Sequence, residues 1–232
     1  MANIEKRRQK LDVRDDLFKR TMEGNWTEVV KIYNQHYRLA HNAEINKSRD
    51  TALHLAVSLG PENKVEELDK IISEKDENKE ALKIENKDRN NPLHLAASMG
   101  TLRMCICIAE AVPELGKARN NEGESPLFLA ALHGKTDIFL CLHRICFRNS
   151  EPEQPDNSYY RKISGETILH CAIKREYLDL AYQILCLHPE LVTCVDEEGI
   201  WPLRLLADKP SAFESGCHLG WWNSIIYHCK CY

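Results

Sequence analysis

No apolar run of the roughly 18 residues that a bilayer crossing requires occurs in the 232-residue chain. Nor do the first twenty residues hold the apolar stretch of a secretory signal, since charged side chains interrupt them throughout. The ten cysteines are therefore expected as thiols in a reducing, cytoplasmic setting, where a buried thiol acts as a small hydrophobe. Charge of one sign is also missing. With 31 basic against 35 acidic residues and a net charge of -4, the chain has no overall field to gather nucleic acid or an anionic membrane. A mean hydropathy of -0.46 fits a folded, water-facing chain.

Catalytic signatures are absent as well. There is no phosphate-binding glycine loop, dinucleotide loop, nucleophile elbow or His-Glu-x-x-His helix. The local Cys and His groups are Cys105 with Cys107, Cys141 with His143 and Cys146, Cys186 with His188, and His228 with Cys229 and Cys231. None supplies two Cys-x2-Cys pairs at finger-like separation, and the tail group is the best zinc candidate among them. Cys141 and His143 stand two apart on an expected helix and point in different directions, which argues against a catalytic pair. The expectation is no enzyme, no cofactor and no metal. A zinc- or thiol-dependent enzyme is the rival from another class, and loss of activity on changing Cys141 or His143 would identify it.

What the chain has is a phrase, Asn91-Pro92-Leu93-His94-Leu95-Ala96-Ala97-Ser98-Met99-Gly100, copied with variations along its length. Close or partial copies begin at Thr51, Ser125, Thr167 and Trp201, and a loose one begins at Asp15. The starts at 15, 51, 91, 125, 167 and 201 lie 36, 40, 34, 42 and 34 residues apart. A period just above thirty with variable connectors predicts a solenoid of helix pairs. Thr51, Ser125 and Thr167 offer a capping hydroxyl where a helix begins, and Pro92, Pro126 and Pro202 follow where a missing N-H is harmless. Leu53, Leu93, Leu127, Leu169 and Leu203 share the next offset and predict a buried stripe. Gly60, Gly100 and Gly134 are expected to end the helix in the left-handed conformation. His54, His94 and His170 recur about one repeat apart, too far for a shared metal, so each is read as a bridge from the cap to the neighbouring turn.

Second helices are expected from Val65, Leu68, Ile71 and Ile72, from Leu102, Ile106, Ala109 and Val112, from Ile138, Leu142, Ile145 and Cys146, and from Leu178, Ala181, Ile184 and Leu185. Between Pro61 and Asn91, 17 of 31 residues are charged, which predicts a wet connector. Residues 149–163 read as an inserted surface loop with Tyr159 and Tyr160 as contact candidates. Residues 1–14 read as a frayed arm, 15–208 as the repeat domain and 209–232 as a tail.

The phrase resembles the ankyrin repeat, a β-turn and two helices carrying Thr-Pro-Leu-His-x-Ala, over nearly the whole chain. The resemblance implies an all-α ankyrin-repeat solenoid that binds other proteins. A further detail, Val112-Pro113-Glu114-Leu115 and His188-Pro189-Glu190-Leu191, each leading into the next phrase, is similar to the plant ankyrin proteins of the accelerated-cell-death and salt-tolerance type. Lys209-Pro210-Ser211-Ala212-Phe213 and the block from Trp221 to Tyr227 resemble the stretch that joins repeats to a membrane domain there. That resemblance implies a role in plant defence or stress signalling and a place at the cytoplasmic face of the plasma membrane. The four membrane helices of that group are missing, so a truncated product acting as a soluble adaptor or decoy is the second expectation.

Partner contacts are expected at the turn tips, Ser48, Arg49, Asp88, Arg89, Asn121, Glu122, Lys162, Glu197 and Glu198. The ends of the first helices add Ser58, Leu59, Ser98, Met99, Leu132 and His133. The partner is expected to be a protein and not nucleic acid.

Overall fold

The computed structural model describes residues 2–148 and 157–209. These form twelve α-helices and three short 3-10 helices, with one isolated bridge between Arg161 and Thr167 as the only extended pairing among the described residues. The chain divides into two compact units, 1–160 and 161–232.

The first unit opens with α1 (Ala2–Met22) and α2 (Trp26–Ala40). Residues 2–14 are thus helical where a frayed arm is expected over 1–14, because the helix begins at Ala2. Its first half is rich in Glu, Lys, Arg and Gln, which favour helix without needing an apolar stripe. No Gly or Pro interrupts the chain before Gly24. Leu17 anchors it, fully buried, and Trp26, Val29, Ile32 and Tyr33 bury one face of α2.

Three helix pairs follow in the same unit. First helices α3 (Ala52–Leu59), α6 (Pro92–Met99) and α8 (Pro126–Leu132) alternate with second helices α4 (Glu62–Lys75), α7 (Leu102–Ala111) and α9 (Thr136–Phe147). The short α5 (Glu80–Lys83) lies in the charged connector and buries Ala81 and Leu82, which the charge count concealed. First helices pack on first helices, α1 on α3, α3 on α6 and α6 on α8, while α2, α4, α7 and α9 pack in a second layer. Each pair is too small to bury its own stripe and is completed by its neighbours.

The buried face of α7 is Met104, Cys105, Ile108 and Ala109, not the expected Leu102 and Ile106. Leu102-Arg103-Met104-Cys105-Ile106-Cys107-Ile108 is apolar nearly all round, so periodicity alone does not set its phase. The Pro-Glu-Leu detail forms 3-10 turns, Pro113–Lys117 and Pro189–Thr193, which drop Leu115 and Leu191 into the core. Gly116 sits where an added Cβ would meet Cys146 Sγ.

The second unit holds α10 (Ile168–Lys174), α11 (Leu178–Leu187) and α12 (Pro202–Ala207), with α10 packed on both. Leu180, Ala181 and Ile184 are its buried second-helix face, while Leu178 and Leu185 are half-buried. Leu203 is 46% exposed although its counterparts Leu53, Leu93, Leu127 and Leu169 are buried. No described element follows α12, so that stripe has nothing stacked on it among the described residues. The tail from 210 and the insertion at 149–156 lie outside the described residues, and so does the zinc candidate His228, Cys229 and Cys231.

The repeated glycines require correction. Gly134 has φ of +65°, but Gly60 and Gly100 are extended, with φ of -87° and -78°. Glycine is needed there for space. A Cβ at Gly60 would lie 2.6 Å from the Ala56 carbonyl oxygen, and one at Gly100 would lie 2.7 Å from that of Ala96.

Candidate partner-binding surface

The repeated histidines sort first, because they decide which part of each phrase is scaffold. His94 is buried, and its Nδ1 accepts from the backbone N-H of Asn91 at 3.1 Å while Asn91 Oδ1 accepts from the N-H of His94. With Nδ1 an acceptor, the ring proton belongs on Nε2, which donates to the carbonyl of Glu124 at 3.2 Å. His54 is placed alike, between Thr51 and the carbonyl of Asn90, and His170 between Thr167 and the carbonyl of Ile200. Every ring nitrogen is thereby engaged, and a proton added at Nδ1 would face an N-H donor. Burial lowers all three, His94 to about 4.

The phrase that begins at Ser125 has Phe128 in the histidine slot. There Ser125 caps the helix, accepting from the Phe128 N-H at 3.0 Å, and its hydroxyl donates to the carbonyl of Tyr159 at 2.7 Å. Tyr160 is buried as core and not as an exposed contact, while Tyr159 is half-buried, and Phe147 packs against both rings. His143 stacks on Phe147 with centroids 5.1 Å apart and joins that aromatic cluster.

The turns preceding the phrases stand out as tips. In the first unit they are zipped edge to edge, with Lys87 N-H donating to the Ser48 carbonyl at 2.8 Å and Asn121 N-H to the Asp88 carbonyl at 3.0 Å. In the second unit Glu197 N-H donates to the Ser164 carbonyl at 3.0 Å. Asx side chains brace four of the five tips from within, Asn46 with Asp50, Asn86 Oδ1 with the N-H groups of Asp88 and Asn90, and Asn120 and Asp196 in the same way, while Lys162 holds that slot in the tip of Gly165. Ser48, Arg49, Asp88, Arg89, Asn121, Glu122, Glu197 and Glu198 are all exposed, whereas Lys162 is half-buried.

One position in the tips takes positive φ in every copy. Gly123, Gly165 and Gly199 occupy it in the later turns, with φ of 77°, 77° and 72°. Arg49 and Arg89 occupy it in the first two, with φ of 61° and 60°. The shared position is not visible in the letters of any one tip, and Lys47 and Lys87 beside it are also exposed.

At the other end of the first helices, Leu59 is 65% exposed and Met99 56%. Both stand one residue before the glycine, on helices that pack on one another. Leu132 is half-buried and His133 exposed. Ser58 and Ser98 turn inward to their own helices, bonding the carbonyls of His54 and Leu95.

Among the described residues no group of three or more His, Cys, Asp or Glu side chains is gathered as metal ligands, and no helix is long and apolar enough to cross a membrane. The chain is 28% identical over 141 residues, 60% of its length, to the E3 ubiquitin-protein ligase KEG of Arabidopsis thaliana. It spans only 8% of that protein, so the ligase name describes the relative. Residues 93–193 match the family model for ankyrin repeats in three copies, and the helix pairs, capped phrases and tips described above have the fold of an all-α ankyrin-repeat solenoid.

Proposed function

We propose that the chain is a non-enzymatic scaffold in plant defence or stress signalling, with a partner protein seated on the tips and first-helix ends of its repeats. One observation carries the reading. Leu59 and Met99 hold large apolar side chains in water at equivalent points of two packed helices, and such a pair is accounted for by a surface that is covered in use. The buried capping and histidine network supplies stability, which leaves the residues that differ between copies to supply recognition.

The plant assignment is supported by the resemblance of the two Pro-Glu-Leu turns to the accelerated-cell-death and salt-tolerance type, and by similarity to an Arabidopsis protein. Neither names a partner. The test is affinity capture from the source tissue with wild-type chain and with L59S/M99S as bait. The reading expects a stress- or defence-linked protein that is captured by the first and depleted on the second. Capture that is equal on both baits overturns it.

A further inference from the structure

We propose that the first two tips recognise an acidic segment of a protein partner, with Arg49 and Arg89 receiving its carboxylates. The proposal rests on the scaffold reading above and adds the chemistry of the partner.

The left-handed conformation favours glycine, since a Cβ there crowds the following carbonyl. Three of the five tips use glycine at this position and two use arginine, in successive repeats and with the same φ to within a degree. An arginine backbone strained in two neighbouring copies points to a use for the side chain rather than for the turn.

The local stitching agrees. In the third and fourth tips an arginine before the turn, Arg119 or Arg161, donates inward to the carbonyl of Gly123 or Gly165 at 2.9 and 2.8 Å. In the first two tips the guanidinium lies outside the turn, against Glu44 at 2.8 Å or Glu85 at 3.0 Å. Those pairs are exposed on both sides. Pairs of this kind contribute about 0 to 1 kcal/mol, so they orient the arginine and yield readily to another carboxylate. Lys47 and Lys87 add two exposed cations with no ion pair among the described residues. The backbone bond between Lys87 and Ser48 holds the two tips side by side.

Asp50, Asp88, Glu44 and Glu85 are interleaved with these cations. A continuous polyphosphate would be repelled at each of them. A peptide can space its carboxylates to miss them and can place apolar side chains toward Leu59 and Met99. The observations therefore favour an acidic peptide with apolar residues over nucleic acid or an anionic membrane.

The test is selection from a displayed library of random peptides on the full-length protein, with R49G/R89G as the paired variant. Selected peptides should be rich in Asp or Glu with interspersed apolar residues. They should lose about tenfold or more in affinity for R49G/R89G, as expected when charge-assisted bonds are removed. The variant should melt no lower than wild type, since glycine suits the φ. Peptides without acidic excess, or unchanged affinity, overturn the proposal while leaving the scaffold reading to its own capture experiment. A lower melting temperature makes the arginines structural and overturns it too. Arginine-dependent binding of single-stranded RNA or phosphatidylserine vesicles, or arginine-dependent self-association in sedimentation, assigns the tips to another occupant and likewise overturns it.

Discussion

His94 Nε2 lies 3.2 Å from the carbonyl oxygen of Glu124, thirty residues further along, while the Nδ1 of the same ring accepts from the N-H of Asn91. One side chain thus closes the cap of its own helix and ties the next turn in place. Removing the ring leaves the buried N-H of Asn91 without its partner, while the Glu124 carbonyl keeps the N-H of Asn120 at 3.0 Å. His94→Ala is expected to cost about 2 to 4 kcal/mol, from the orphaned N-H and the space left behind. Urea unfolding followed by circular dichroism checks this, and a midpoint unchanged from wild type would remove the bridge from the account.

The same ring predicts a pH dependence. Free imidazole titrates near 6.5 and buried His94 at about 4, so between these values the unfolded chain holds more protons than the folded one. Stability therefore rises with pH across the window. Its contribution is fully present above about 6.5, and its loss as pH falls toward 4 amounts to about 3 kcal/mol. His54 and His170 are lowered by burial in the same direction. The slope of the urea midpoint between neutral pH and about 4.5 should flatten in H94A.

Glycine at 100 is held for space. Gly100→Ala would set a methyl 2.7 Å from the Ala96 carbonyl oxygen and 2.9 Å from its Cα, and neither backbone atom can step aside cheaply. The expected loss is about 1 to 3 kcal/mol, in the range of overpacking. Gly60→Ala should behave alike, and calorimetry of both variants tests the pair.

Thiol chemistry separates buried from exposed cysteines. Burial pushes Cys105 and Cys171 up to about 12 and Cys146 to about 11, while Cys186 is exposed. Alkylation near pH 8 followed by peptide mapping should label Cys186 first among these four and leave Cys105 and Cys171 unlabelled until denaturant is added.

Much of this architecture was legible because one phrase repeats its chemistry at one offset. Capping residues, prolines and leucines each announce a helix start independently, and five copies confirm one another. The phase of α7 was not legible, because a segment apolar on every side has no preferred face in sequence. The helix at residues 2–14 is not legible for the opposite reason, having charged residues and almost no stripe. Glycine letters do not reveal φ, so nothing in the sequence separates extended Gly60 and Gly100 from left-handed Gly134. The surface was legible only in part. Leu59 and Met99 stand out as apolar letters in an exposed slot, but Arg49 and Arg89 gain meaning only beside Gly123, Gly165 and Gly199, once the turns are superposed.

The central claim is that the shared letters of the repeats build the scaffold and the differing ones recognise the partner. It is tested most directly by the dissociation constant of the captured partner for L59S/M99S, measured beside the melting temperature of the same sample. The account predicts binding weakened by about tenfold or more with melting unchanged. Unchanged affinity, or weakening that only follows a fall in melting temperature, would contradict it.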